Sequence, residues 1–355
     1  MRARFAVVLP LIIGIAACGG SGSDPAAEAN SANLSAGSLA DGNKVIGVMS
    51  RNLYLGADLA PVIAATNLSD FLDATTAAWK MVQKNDFHVR VQALADEIAG
   101  KRPALVGLQE AFTWRVGAAP PATTVVYDYA PELLAALAAR GVKYRAVARV
   151  ELLDVEAPTR LGHDVRATDH DVIIARDDVD VMAKSEVVYT HLLPLSVFGA
   201  TFPLKRGYVT VDVRYRGASL KFVSTHLESF HAGIRMLQAG ELATALARES
   251  RPVILVGDLN SHPGTEGEAI LAAAGFIDGW PAALPANSGL TCCWAEDLTV
   301  PQSNTNRFTE RIDYVLTRGP LDARAVFVTG GNPSYRVGGL WPSDHGGIFA
   351  EVRMR

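Results

Sequence analysis

The stretch VILVGDLNSHPGT, residues 253–265, decides how this chain folds. Four apolar residues run into Gly257, and Asp258, Asn260 and His262 follow within five positions. A short apolar run bounded by turn residues reads as a buried strand. A carboxylate and an amide at its C-terminal end stand where open α/β sheets build their sites. Asp258 and Asn260 also have a simpler use, holding the turn through side-chain to backbone hydrogen bonds.

Working outward, short apolar strands alternate with amphipathic helices. VIGVMS (45–50) reads as a first strand and ALVGLQE (104–110) as a buried strand ending on Glu110. In DFHVRVQALADEIAG, Phe87, Val91, Leu94 and Ile98 recur at spacings of four, three and four. That is one face of a helix, with Asp86 at its start and Gly100 at its end. YAPELLAALAARG predicts a second helix closed by Gly141, and further helices are expected over 234–248 and 266–274. DVIIAR (171–176), YVTVDVRY (208–215), LKFVSTH (220–226), IDYVLT and GIFAEVRM read as strands. The alternation in YVTVDVRY predicts one solvated face. Residues 279–310 read as a long irregular segment. No repeat and no second composition boundary appears, so one α/β domain is expected over 44–355.

The chain has 355 residues, 49% hydrophobic and 20% charged, which is a globular composition and neither disordered nor fibrous. Arg2 and Arg4 precede an apolar run over 6–17 that is too short to span a bilayer. Residues 1–17 read as a secretory signal, and the small residues before Cys18 resemble a bacterial lipoprotein signal. That resemblance implies cleavage before Cys18, lipidation of its thiol and a cell-envelope location. Residues 18–43 then form a flexible tether. The first 17 residues carry two arginines and no acids, so their removal takes the net charge from −4 to −6. An extended basic groove is not expected. Cys292 and Cys293, adjacent in LTCCW, make neither a disulfide framework nor a zinc site by spacing. Two packed thiols near Trp294 are favoured over a vicinal disulfide.

The informative feature is a set of strand ends. SRN carries Asn52, LQE Glu110, STHLES His226, GDLNS Asp258 and Asn260, and ERIDYVL Asp313. PSDHGG adds Asp344 and His345 before the last strand. Each residue alone has an ordinary reading as a turn former, a helix cap, a core histidine or a partner of Arg311. Together they are the groups that metal-assisted phosphate chemistry uses.

In that order, LQE, THLES, GDLNS, RIDYVL and SDH resemble the endonuclease/exonuclease/phosphatase (DNase I-like) superfamily, over nearly all of the chain after the tether. The resemblance implies a four-layer α/β/β/α sandwich, two central mixed sheets flanked by helices. It implies a Mg²⁺-dependent phosphoesterase, with Mn²⁺ as the other candidate ion. Glu110 would hold the ion with help from Asn52, and Asp344 would add a direct or water-mediated ligand. His345 would touch the phosphate with Asp313 on its other ring nitrogen. Asp258 would orient or deprotonate the attacking water, and Asn260 and His226 would donate to phosphate oxygens. Whether Asp258 or His345 takes the proton stays open. Arg206, before a strand, reads as a phosphate contact or a solvated strand end. His170 and Asp171 fall where relatives place a further site residue. His262 matches no catalytic position and reads as a turn residue.

The substrate is open between a phospholipid or sphingomyelin-type ester and a nucleic acid, and the acidic mature chain disfavours the latter. Trp280, Trp294 and Trp341 are equally suited to a membrane contact and to the core. A monomer is expected, with the membrane met through lipidated Cys18. The alternative function is a non-catalytic envelope binding protein on the same scaffold.

Overall fold

The computed structural model describes residues 45–197, 200–280 and 289–355. The signal segment, Cys18 and the tether lie outside the described residues. The chain opens with β1 (Val45–Asn52), then α1 (Ala60–Ala64), α2 (Leu68–Lys84) and α3 (Phe87–Lys101). There follow β2 (Leu105–Gln109), β3 (Thr113–Gly117), β4 (Thr124–Asp128), α4 (Tyr129–Ala139), β5 (Tyr144–Pro158), β6 (Asp164–Arg176) and β7 (Asp180–Val188). A hairpin of β8 (Leu193–Val197) and β9 (Ala200–Leu204) leads to β10 (Gly207–Tyr215) and β11 (Ala218–His226). The last part holds α5 (Ala232–Leu246), β12 (Val253–Asp258), α6 (Glu266–Ala273), β13 (Ile277–Asp278), β14 (Asp313–Arg318), β15 (Leu321–Thr329) and β16 (Gly347–Met354).

Local chemistry explains most boundaries. Asp86 caps α3 by accepting from His88 N, and Phe87, Val91, Leu94 and Ile98 are all buried. The helix runs past the expected stop at Gly100. It ends at Arg102, whose backbone is left-handed and whose N–H reaches Ile98 O at 2.7 Å. The opening stretch behaves as its pattern demands, since every residue of β12 is buried.

The strands form two sheets. The first runs β15–β16–β1–β2–β6–β3–β4, with β5 paired to β6; the second runs β13–β14–β12–β11–β10–β7. Ile46, Val48, Leu105 and Ile173 of the first pack with Val209, Phe222, Ile254 and Val256 of the second. On the outer side of the first sheet, Trp79, Val91, Leu94 and Leu133 cover Val106, Leu108 and Ile174. Beyond the second sheet, Ala239, Leu242 and Leu271 cover Val223, Leu255 and Leu316. The result is the four-layer sandwich. Each such apolar side chain contributes about 1.5–3 kcal/mol by leaving water.

β10 departs from the expectation of one solvated face. Val209, Val211 and Val213 face the other sheet and Tyr208 is covered, packing with Tyr189 and Leu242. Asp212 is neutralised by Lys221 and Arg251. Alternation marks two faces; it does not say that α5 will lie over one.

Two parallel pairs set the position of the site. β1 pairs with β2, placing Asn52 beside Gln109, and β11 pairs with β12, placing His226 beside Asp258. Antiparallel β14 sets Asp313 against Asp258. The sheets are tied behind these ends by a buried polar bridge. Ser50 Oγ donates to Gln109 Oε1 at 3.2 Å, and Gln109 Nε2 donates to Ser224 Oγ at 2.9 Å.

Gly257 is required by the second parallel pair. A Cβ there would lie 2.1 Å from the carbonyl oxygen of Thr225 on the neighbouring strand. Backbone cannot yield without opening the ladder, so Gly257→Ala should cost about 3 kcal/mol, the upper part of the range for overpacking. Thermal unfolding of the variant measures this, and an unchanged Tm would show that the two strands separate there at little cost.

Candidate active site

The strand ends meet around one carboxylate. Asp258 Oδ2 lies 3.2 Å from Asn52 Nδ2, 3.6 Å from His226 Nε2 and 3.8 Å from His345 Nε2. Its Oδ1 accepts the backbone N–H of Asn260 at 2.9 Å. Asn52 Nδ2 also donates to Glu110 Oε1 at 3.1 Å, and Asn52 Oδ1 accepts from Tyr54 N at 2.9 Å. Glu110 Oε2 accepts from Leu55 N at 2.7 Å. Asn52, Glu110, His226, Asp258, Asn260, Asp313 and His345, foreseen from separate strand ends, are thus linked by contacts. Three site residues, Tyr54, Glu110 and Asn260, hold left-handed backbone without being glycine. Such conformations cost energy and persist where surrounding contacts over-determine them.

The imidazoles differ. His226 is buried, with Nδ1 3.0 Å from the Arg206 guanidinium. A guanidinium only donates, so Nδ1 accepts and the ring proton sits on Nε2, facing Asp258. Burial, and then the Arg206 charge, holds the His226 pKa well below the ordinary value. His345 Nδ1 lies 2.9 Å from Asp313 Oδ2. Burial opposes its charge, but Asp313, Asp344 and Asp258 outweigh burial and hold it well above the ordinary value. The surroundings thus drive His345 toward the charged form and His226 toward the neutral one. Burial, and next the Asp313 charge, pushes the Asp258 carboxyl up to about 7 against the pull of His345.

Arg206 is buried rather than a solvated strand end, with a second guanidinium nitrogen 3.4 Å from Ser229 Oγ. Asp344 accepts from Ser343 Oγ at 3.3 Å and is pushed up to about 6, first by burial and then, against His345, by Glu110. Asn260 Nδ2 donates to Leu227 O at 3.0 Å, so one amide hydrogen is already engaged. His262 stands apart, exposed and 3.8 Å from Glu310.

Of the two candidates in DHDVIIAR, Asp171 joins the cluster. His170 does not: it contacts Arg149 and the Ala111 carbonyl, and burial lowers its pKa to about 4. Asp171 is fully buried, and neither carboxylate oxygen has a hydrogen-bond partner among the described residues. Burial, then Asp169, raises it well above the carboxylate range. Asp169, unforeseen, is raised to about 7 by burial, with Arg206 opposing.

Other residues with positioning roles gave no sequence signal beyond their residue type. Arg90 sits on the face of α3 turned to the site loops, donating to Leu53 O and Pro342 O at 2.8 Å and to Tyr54 O at 3.1 Å. Arg51 pairs with buried Glu97 at 3.1 Å and donates to His345 O. LTCCW also belongs here. Thr291 Oγ1 accepts from Asp313 N at 3.2 Å, and Trp294 N donates to Asp344 O at 2.8 Å. Cys292 and Cys293 bring their sulfurs together, with Cys292 Sγ 3.6 Å from His345 Nε2. Trp294 and Trp341 stack in the core at 4.0 Å, buried, which removes both from membrane contact. Trp280 is half-buried and packs against the inter-sheet core.

The family model of the endonuclease/exonuclease/phosphatase family matches residues 82–345. No curated protein matches the chain. Among solved structures, an endonuclease/exonuclease/phosphatase from Bacteroides vulgatus is similar at 15% identity, over 88% of this chain and 99% of that one, with a TM-score of 0.55. A mannosyl-6-phosphatase from Bacteroides thetaiotaomicron aligns at 16% identity over 86% and 99%, with a TM-score of 0.51. TDP2 from D. rerio, complexed with a single-strand DNA product, aligns at 17% identity over 87% and 99%, with a TM-score of 0.50. At these identities the solved structures speak for the fold, whereas the family match spans most of the chain and includes Glu110 through His345. The chain belongs to the endonuclease/exonuclease/phosphatase family, and is a hydrolase of phosphoester bonds of the divalent-metal-dependent type.

Proposed function

We propose that this hydrolase uses Mg²⁺, attacks its phosphoester in line with water, and works anchored in the cell envelope. The observation that carries the reading is the environment of Asp258, whose Oδ2 faces an amide and two imidazoles.

The residues present fit a hard cation. Glu110 and Asp344 line the same cavity, and Glu110 adds to the pressure that raises Asp344. Two such carboxylates offer the oxygen donors Mg²⁺ takes while keeping several waters, and Asn52, whose Oδ1 accepts from Tyr54 N, would steady Glu110 through its Nδ2 instead of ligating the ion. Bound there, the ion supplies positive charge to the phosphate and the departing oxygen.

The chain's own groups do the rest. Asp258, whose Oδ2 faces Asn52, His226 and His345 at the centre of the cluster, accepts the proton of the attacking water. Asp313 fixes the His345 ring through Nδ1, leaving Nε2–H toward developing negative charge. His226 Nε2–H, the free amide hydrogen of Asn260 and Arg206 are donors for the phosphate oxygens as charge builds. The acidic mature chain disfavours a long nucleic acid.

Hydrolysis of bis-p-nitrophenyl phosphate by the full chain, dependent on added Mg²⁺, is the expected result. Silence on that ester, on DNA and on phospholipid would leave a binding protein on this scaffold. Anchoring rests on the segment before Cys18, and Cys18→Ser should abolish radiolabelled palmitate incorporation in the producing cell; a labelled variant would refute it.

A further inference from the structure

Resting on the phosphoesterase reading, we propose that the substrate is a lipid phosphoester whose hydrocarbon lies in an apolar trough leading from the phosphate site. The trough is a cavity of about 580 Å³, within the range of small-molecule sites. Glu110, Asp169, Arg206 and Asp344 belong to its lining, so it is continuous with the catalytic cluster. The rest of the wall is mainly hydrocarbon: Val62 of α1, Phe112, Leu153 of β5, Leu195 and Phe202 of the β8–β9 hairpin, and Phe230.

These walls are not closed by the fold. Phe202 is 48% exposed and Phe230 60%, and α1 contributes no fully buried residue. Large apolar side chains left facing a common cavity gather an apolar ligand, since each methylene leaving water gains free energy. The remaining polar lining decides against a nucleic-acid strand. Asp58, Asp154, Glu156 and Glu296 share the trough with one arginine, and a polyphosphate chain would meet repulsion where it needs cations. An amphiphile with one phosphate and a hydrocarbon arm satisfies both ends.

The test is a series of p-nitrophenyl alkyl phosphates from methyl to octyl, kept below micelle formation, with Mg²⁺ and the full chain. We expect kcat/KM to rise about fourfold per methylene over the first several carbons, the equivalent of burying each one. Leu195→Asp should flatten that slope. Calorimetric binding of dodecylphosphonate, at least 100-fold tighter than methylphosphonate and weakened by the same substitution, reads the trough without turnover. Equal binding of the two phosphonates, a flat series on an active enzyme, or displacement of the octyl ester by a single-stranded oligonucleotide at lower concentration would each overturn the lipid assignment. Failure to hydrolyse any member, with the phosphonate preference intact, would instead remove the phosphoesterase reading and leave the trough.

Discussion

Asp258→Asn should lower kcat on bis-p-nitrophenyl phosphate by about three orders of magnitude, within the range for losing a positioned proton acceptor. The substitution keeps shape and the contact from Asn260 N, so a loss of this size reports chemistry. The folded state should not suffer. Asp258 is buried, and the neighbouring Asp313 charge adds to the burial that raises its pKa from 3.8 to about 7. A carboxyl raised on folding binds its proton more tightly in the folded state. Its unfavourable contribution is absent below pH 4, grows as pH rises and is complete above about 7. Removing it should leave Tm at neutral pH unchanged or higher, with activity low, the usual opposition between stability and function in a site. The wild-type rate should fall about tenfold per pH unit below about 7 as Asp258 takes up a proton. That limb should move to lower pH as Mg²⁺ concentration rises, because a nearby cation favours the carboxylate. A variant with near-normal kcat, or a limb indifferent to Mg²⁺, would displace Asp258 from this role.

What was legible in the sequence is what is local along the chain. Asp258, Glu110 and His226 each stand at the end of a largely apolar stretch, and a strand that ends on a polar group presents it at the sheet edge. Asp169 carried no such signal because it lies within β6, whose strand begins five residues earlier at Asp164. Its meaning comes from Arg206 and Glu110, which chain folding brings to it from distant positions. Arg90 is similar. On a helix it reads as a solvated cation, yet it is buried and holds the loops after β1 and before His345 by their carbonyls. The 15-residue β5 was missed since its outward positions are charged and its bulges break the alternation. The stacking of Trp294 on Trp341 joins residues 47 positions apart. In each case the missing information is a long-range contact, which periodicity does not encode.

Glu110→Gln tests the cation most directly. Two roles for Glu110 compete. Its Oε2 accepts from Leu55 N and its Oε1 from Asn52 Nδ2, so it could serve to hold the Asn52–Leu55 loop. A glutamine keeps an acceptor for Leu55 N and removes the negative charge, which separates the two. If the loop is what matters, Mg²⁺ dependence should be unchanged. If Glu110 is an ion ligand, losing a unit charge at contact distance should raise the Mg²⁺ concentration for half-maximal activity by about 100-fold, since such an interaction is worth several kcal/mol near a protein surface. The same shift should appear without substrate. Binding to the folded state alone raises stability with ligand concentration, so wild-type Tm should climb with Mg²⁺ while Glu110→Gln stays level over the same range. Chelation should abolish wild-type turnover and readdition restore it. The three readouts depend on one geometry, the Glu110 and Asp344 carboxylates lining a single cavity. Mg²⁺-dependent stability that survives in Glu110→Gln would place the ion elsewhere in the cluster, with Asp171, neither of whose buried oxygens has a partner among the described residues, and Asp169, whose Oδ1 has none, as the next donors to substitute.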